Sequence, residues 1–237
     1  VLYYPGCDTL YRQPEIAKAA LKVLKAAGIN HTMIKAGEPC CGEPLRLMGY
    51  IDDFKVSAQK VVESIAETGA KKVVCTCPSC LRMMKEVYAA YGVKGLEGVE
   101  FLHMSEYLLQ LANAGLLQFT HPLEMRVTYH DPCDLGRRLG IYEPPRQVIE
   151  SLPGIQFKDM FFNRRDARCC GAGGGLTATN LELVIEASKT VVELAQDVNA
   201  EVLVTACPTC KTSFNRHTYK LDNIKTMDLI ELVAMAL

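Results

Sequence analysis

Ten of the eleven cysteines fall into two sets with one pattern: a lone cysteine, an adjacent pair followed by glycine, and a Cys-x-x-Cys. The first set is Cys7, Cys40, Cys41, Cys77 and Cys80; the second is Cys133, Cys169, Cys170, Cys207 and Cys210. Matching cysteines lie 126, 129 or 130 residues apart, so a domain-sized segment occurs twice, far longer than a solenoid unit. A structural zinc site takes four ligands and would leave one thiol of each set over. An iron–sulfur cluster, ligated by several thiolates, matches five better. Adjacent side chains on an extended backbone point apart, so both members of a pair can serve one site only if the chain turns sharply there. Gly42 and Gly171 supply that freedom, and the run Gly171-Ala172-Gly173-Gly174-Gly175 lets the main chain lie against a bulky group. At a strand-to-helix turn, each Cys-x-x-Cys also meets free backbone N–H groups that favour the thiolate.

The elements that must position these thiols alternate. Leu2–Tyr4 reads as a strand stopped by Pro5-Gly6, and Pro14–Ala27 as a helix with apolar Ile16, Ala20, Val23 and Leu24 and Gly28 at its end. A strand is expected over Asn30–Ile34, a helix over Asp52–Thr68, a strand over Lys72–Cys75, and a helix from the first Cys-x-x-Cys to about Tyr91. A strand over Val99–Leu102 and a helix to about Ala114 complete the first half. Residues 115–124 form the boundary, and the order repeats: strand Arg126–Tyr129, helix Pro145–Ser151, strand Ile155–Met160, helix Thr179–Ala195, strand Val202–Thr205, a helix from Pro208, and a strand near Ile224–Met227. This is an α/β chain of two pseudo-twofold-related, Rossmann-like subdomains with parallel sheets, residues 1–118 and 119–237, each carrying one Cys-Cys-Gly motif. Parallel strands put their carboxyl ends on one edge, where ligands collect and where this reading puts all ten cysteines.

The totals set limits. The chain has 237 residues, 49% of them hydrophobic, enough for a real core. With 26 Lys+Arg against 27 Asp+Glu and no basic run, nucleic acid is not an expected partner. The start has no signal-peptide pattern, so a disulfide scaffold is the weaker reading of the cysteines and a cytoplasmic setting the expected one. No apolar run nears the ~20 residues that cross a bilayer, so membrane association is expected only through a partner subunit. The chain opens on a strand without an initiator Met, as part of a longer polypeptide or a processed subunit would.

The doubled motif resembles the cysteine-rich CCG domains of heterodisulfide reductase catalytic subunits, of the B or D type, over essentially the whole chain. Tyr129-His130-Asp131-Pro132-Cys133 and Cys169-Cys170-Gly171-Ala172-Gly173-Gly174-Gly175 carry the resemblance most specifically. Relatives include iron–sulfur subunits of respiratory glycerol-3-phosphate and lactate dehydrogenases and of sulfite-reduction complexes. The resemblance implies that each five-cysteine set holds a non-cubane [4Fe-4S] cluster, that the two clusters face each other across the pseudo-twofold, and that a disulfide is cleaved between them, with Cys41 and Cys170 essential to turnover. Some relatives hold zinc or another cluster type in one set; both sets are complete here. The resemblance further implies an electron donor with ferredoxin-type cysteine runs, which this sequence lacks, and a flavoprotein or membrane cytochrome as a further partner. Two other functions stay open: an electron-transfer subunit of a membrane-anchored respiratory complex working with quinone, and a zinc-stabilised assembly module.

Other residues divide by setting. Arg164, Arg165 and Arg168 precede the second pair where the first half reads Lys35-Ala36-Gly37-Glu38, and could steer an anionic disulfide; the alternative is a solvated loop. His130 is a candidate proton donor to a released thiolate, or a histidine satisfied in a turn. Asp8 and Asp134 each follow a lone cysteine and read as helix N-caps. Cys75, the eleventh cysteine, sits on a strand before the first Cys-x-x-Cys and reads as a buried structural residue. The glycine run lacks GxGxxG spacing, which argues against a dinucleotide site.

Overall fold

A computed structural model describes residues 1–34 and 37–237. The first half runs β1 (Leu2–Tyr4), α1 (Cys7–Arg12), α2 (Pro14–Ala26), α3 (Glu43–Leu47), α4 (Ile51–Thr68), β2 (Lys72–Cys75), α5 (Pro78–Arg82), α6 (Tyr88–Ala90), β3 (Glu100–His103) and α7 (Met104–Asn113). The second runs β4 (Met125–His130), α8 (Glu143–Glu150), β5 (Ile155–Phe157), α9 (Leu176–Thr179), α10 (Leu181–Asp197), β6 (Val202–Thr205), α11 (Pro208–Thr218), β7 (Lys225–Asp228) and α12 (Leu229–Met235). The sheets are wholly parallel, in the orders β1-β2-β3 and β5-β4-β6-β7. This is the expected α/β architecture of two Rossmann-like units. Parallel pairing buries both faces, and β1, β2 and β6 are accordingly apolar runs rather than alternating ones.

The strand expected over Asn30–Ile34 reduces to a single bridge. Tyr3 N donates to Thr32 O at 2.9 Å and Thr32 N to Val1 O at 2.9 Å, and pairing goes no further among the described residues. Its counterpart β5 keeps three residues in register with β4, which is why the sheets have three and four strands. The expected strand Ile155–Met160 accordingly ends at Phe157. The helix expected from Thr179 starts at Leu181, because Asn180 is extended (φ −151°) and caps it through a bond from Leu183 N. Between α5 and α6 the helix widens into a π turn at Met83–Val87, a feature periodicity does not reveal.

The halves exchange their last helices: α12 packs on α2 of the first half and α7 on α8 of the second. Lys22 Nζ donates to Ala234 O at 2.6 Å across the first of these seams. One apolar core runs through both, from Leu2 and Leu24 to Ile149, Ile230 and Val233. A smaller cluster of Val191, Leu203 and Phe214 packs beneath the second cysteine set with Cys170, Cys207 and Cys210. Among the described residues no helix is long and apolar enough to cross a membrane.

Candidate metal centres

Strand ends deliver the lone cysteines and the Cys-x-x-Cys pairs. Cys7 follows β1 and opens α1, Cys133 follows β4, and Cys77 and Cys207 follow β2 and β6 and cap α5 and α11. The adjacent pairs arrive on loops that turn at Gly42 (φ +79°) and Gly171 (φ +78°). A Cβ at Gly42 would lie 2.8 Å from the Phe54 ring, and one at Gly171 2.9 Å from Ala187 Cβ and 3.1 Å from Val184 Cα. The left-handed turn and the close helix together require glycine. Gly173 and Gly174, by contrast, face open space.

Each set of sulfurs forms a chain of neighbours in the same order. In the first half it runs Cys7, Cys40, Cys41, Cys80, Cys77, with Cys7 Sγ 3.9 Å from Cys40 Sγ. In the second it runs Cys133, Cys169, Cys170, Cys210, Cys207, with Cys210 Sγ 3.2 Å from Cys170 Sγ. Among the described residues no cysteine is bridged to another. Cys40 and Cys169 receive hydrogen bonds from both sulfur neighbours, and backbone N–H groups of Gly42 and Gly171 add to them, which holds both thiols well below the ordinary range. Donating to these two pushes Cys7, Cys41, Cys133 and Cys170 up, and burial adds to the effect. Cys7, Cys40, Cys133 and Cys169 reach solvent, whereas Cys41 and Cys170 are each 4% exposed. The residues expected to be essential in turnover therefore sit at the floor of each site, and the first member of each pair faces outward.

Hydrogen bonds to the main chain fix the floors. Ser57 Oγ donates to Cys40 O at 2.8 Å, Tyr88 OH to Cys41 O at 2.9 Å and Ser213 Oγ to Cys170 O at 2.8 Å. His130 is 1% exposed; its Nε2–H donates to Arg168 O at 2.9 Å and Nδ1 accepts from Thr205 Oγ1 at 3.3 Å. Burial keeps the ring neutral, and both nitrogens are engaged. His130 thus holds the peptide before Cys169, which replaces the proton-donor role expected of it.

The aspartates correct the N-cap reading. Gly6, not Asp8, caps α1, and Asp134 lies within a π turn at Asp134–Arg138. Each carboxylate instead crosses to the other half: Thr209 Oγ1 donates to Asp8 Oδ2 at 2.5 Å and Ser79 Oγ to Asp134 Oδ2 at 2.6 Å. Arg82 adds an ion pair to Asp134 at 3.1 Å and reaches Glu43, the residue after the first Cys-Cys-Gly, at 3.4 Å.

Of the three arginines, Arg164 is held by Glu143 at 2.7 Å and Asp159 at 3.0 Å. Arg168 is exposed and lies 3.9 Å over the Phe162 ring, and Arg165 is exposed. Of the first-half stretch set against them, Lys35 and Ala36 lie outside the described residues. Two charged residues escaped sequence reasoning. Arg146 on α8 is 2% exposed and binds Asp131, the residue two before Cys133, at 2.7 Å. Glu38 accepts from Gly6 N at 2.8 Å and, among the described residues, keeps Oε2 buried without a partner; burial pushes its carboxyl up to about 8. Only the isolated Glu between Gly37 and Pro39 signals it in the sequence. Cys75 is fully buried and outside both chains of thiols, as expected of a structural residue.

Five thiols and no nitrogen per site make a soft donor set of the kind that selects zinc and iron–sulfur clusters. Among the described residues no three His, Cys, Asp or Glu side chains are arranged about a single ion. A strung-out chain of five thiols holding one another's protons suits a larger polycationic group, whose arrival would displace those protons. A Cβ at Gly6 would sit 3.0 Å from Cys80 Sγ, so the first site also has a close backbone wall. The ten residues fit two iron–sulfur clusters.

Comparison with known proteins agrees. The D-type subunit of the dihydromethanophenazine:CoB–CoM heterodisulfide reductase of Methanosarcina acetivorans is 38% identical over 100% of this chain and 59% of its own length. The B-type subunit of the fumarate reductase (CoM/CoB) of Methanothermobacter marburgensis is 31% identical over 99% of this chain and 46% of its own. The EtfAB:quinone oxidoreductase of Syntrophomonas wolfei is 31% identical over 89% of this chain and 30% of its own. The chain therefore spans little more than half of such relatives at most. A crystal structure of a hypothetical protein from Helicobacter pylori shares the fold, with a TM-score of 0.67 at 11% identity over 99% of this chain and 48% of that one. The family model for the CCG cysteine-rich domain matches twice, at residues 1–85 and 127–215, each match spanning one complete thiol set. The chain belongs to the CCG cysteine-rich domain family.

Proposed function

We propose that this chain is the disulfide-reducing part of an iron–sulfur oxidoreductase, with halves 1–118 and 119–237 each holding one non-cubane [4Fe-4S] cluster through five cysteines. The observation that carries the reading is the pair of identical five-thiol chains, each open to solvent at its lone cysteine and the first member of its pair. The heterodisulfide reductase relatives support it. Such clusters, when bound, supply single electrons and iron that takes sulfur.

The chain's own residues prepare that chemistry. Cys41, Cys80, Cys170 and Cys210 hold from the buried floor, while Cys7, Cys40, Cys133 and Cys169 border the side a substrate can reach. Ser57, Tyr88, Ser213 and His130 fix the peptides that carry the pairs. Arg165 and Arg168 offer exposed positive charge to an anionic disulfide, while Arg164 orders the loop between Glu143 and Asp159. A ferredoxin-type subunit or domain donates electrons in the cytoplasm, and a flavoprotein or membrane cytochrome completes some assemblies. Metal analysis and EPR of anaerobically purified protein, with thiol release from a small disulfide and a reduced dye as donor, test this. The expected result is about eight irons per chain with thiol release. Zinc in place of iron, or activity with quinone alone, overturns it.

A further inference from the structure

We infer that Asp8 and Asp134 are positioning residues that set the spacing and mutual orientation of the two thiol sites. Each follows the lone cysteine of one site, and each accepts a hydrogen bond from the hydroxyl inside the other site's Cys-x-x-Cys, Thr209 or Ser79. Cys7 is thereby one residue and one hydrogen bond from the Cys207–Cys210 turn, and Cys133 stands in the same relation to the Cys77–Cys80 turn.

Three features separate these bridges from ordinary glue. They are reciprocal: the same pair of positions is joined in both directions across the pseudo-twofold, although the hydroxyl is Thr in one and Ser in the other. They are sheltered: the Asp8 and Asp134 side chains are 13% and 17% exposed, so the charge-assisted bonds are only partly screened by water. They also sit at a helix start, Thr209 being the second residue of the eleven-residue α11, where the carboxylate meets the positive end of the dipole. The halves are already joined elsewhere, by α12 on α2 and α7 on α8. Cross-links placed inside the two sites therefore act on their geometry more than on cohesion. The bridges differ in support: Asp134 also has Arg82 at 3.1 Å, whereas Asp8, among the described residues, has only Arg12 at 3.7 Å and keeps Oδ1 buried without a hydrogen bond. Asp8–Thr209 is the more dependent on its hydroxyl.

The inference rests on the reading that each site holds a cluster, and its test separates the two. In Thr209→Val and Ser79→Ala, iron per chain stays at the wild-type level, while the magnetic interaction between the two reduced centres in EPR changes and dye-driven disulfide reduction falls about ten- to a hundred-fold. Thr209→Ser and Ser79→Thr, which keep the hydroxyl, restore both readings. Asp8→Asn combined with Thr209→Val is no worse than the worse single variant, since both break one bond. Wild-type EPR interaction and turnover in Thr209→Val and Ser79→Ala overturn the inference. A wild-type protein without iron defeats the cluster reading instead. The bridge is then scored by urea unfolding, where additive effects of Asp8→Asn and Thr209→Val refute it and non-additive effects uphold it.

Discussion

Replacing Arg146 with Met isolates the charge network beneath the second site. The guanidinium is 2% exposed and donates to Asp131 through Nη1 at 2.7 Å and Nη2 at 2.8 Å, to Asp159 through Nε at 3.0 Å and Nη2 at 2.8 Å, and to Tyr142 O at 2.8 Å. It also lies 5.1 Å over the Tyr129 ring. Methionine fills most of the stem's volume and removes all five bonds. Asp159 is 25% exposed and retains Arg164 at 3.0 Å, so its loss is small. Asp131 is 2% exposed and keeps only the Arg164 N–H at 2.7 Å, so it becomes a nearly uncompensated buried carboxylate. Breaking a buried pair from one side costs about 3–5 kcal/mol, and the surviving N–H bond puts the expectation near the lower end. That is a large part of the ~5–15 kcal/mol that holds a domain together, yet leaves it folded. Urea unfolding of the Arg146→Met protein measures the loss, which stays nearly constant with salt because the pair is out of reach of screening ions. Adding Asp131→Asn removes the orphaned charge and regains part of the loss, about 1–2 kcal/mol. The same loop carries Arg164 toward Cys169, so iron retention falls together with stability. A loss below about 1 kcal/mol, or a double variant weaker than Arg146→Met, refutes the reasoning.

Gly171→Ala costs about 2–4 kcal/mol, because a left-handed residue and a clash with the α10 backbone add; Gly42→Ala costs less, since the Phe54 ring it meets can shift, and urea unfolding ranks the two. Asp228 caps α12 through a bond from Ile230 N, and burial pushes its carboxyl up to about 7. Its folded value lies above its unfolded one, so its cost is fully present above about pH 7 and is relieved as pH falls toward the ordinary carboxylate range. Asp228→Asn, a comparable cap, is therefore expected to gain most over wild type above pH 7 and to lose that advantage near pH 4 in melting-temperature scans. Cys75→Ala keeps the wild-type iron content while lowering stability by about 1 kcal/mol, measured by metal analysis and unfolding; iron loss would make Cys75 a ligand.

The cysteine spacing by itself determined the duplication, the two five-thiol sets and the glycine that each pair requires, because residue type and local backbone freedom are written along the chain. The strand-to-helix order was equally legible, since the apolar stretches of β2, β6, α4 and α10 show their period directly. The single bridge at Thr32 and the π turn at Met83–Val87 were not, because periodicity shows that a segment is apolar but not how far its backbone bonds persist. Docking of the halves decided the rest. Asp8 meets Thr209 across 201 positions, and nothing local to either residue announces the other. Which thiol of a pair faces water, why Arg164 is engaged while Arg165 and Arg168 stand exposed, and how Glu38 comes to rest against Gly6 all follow from distant segments brought together, because hydrogen bonding, burial and charge act through space rather than along the chain.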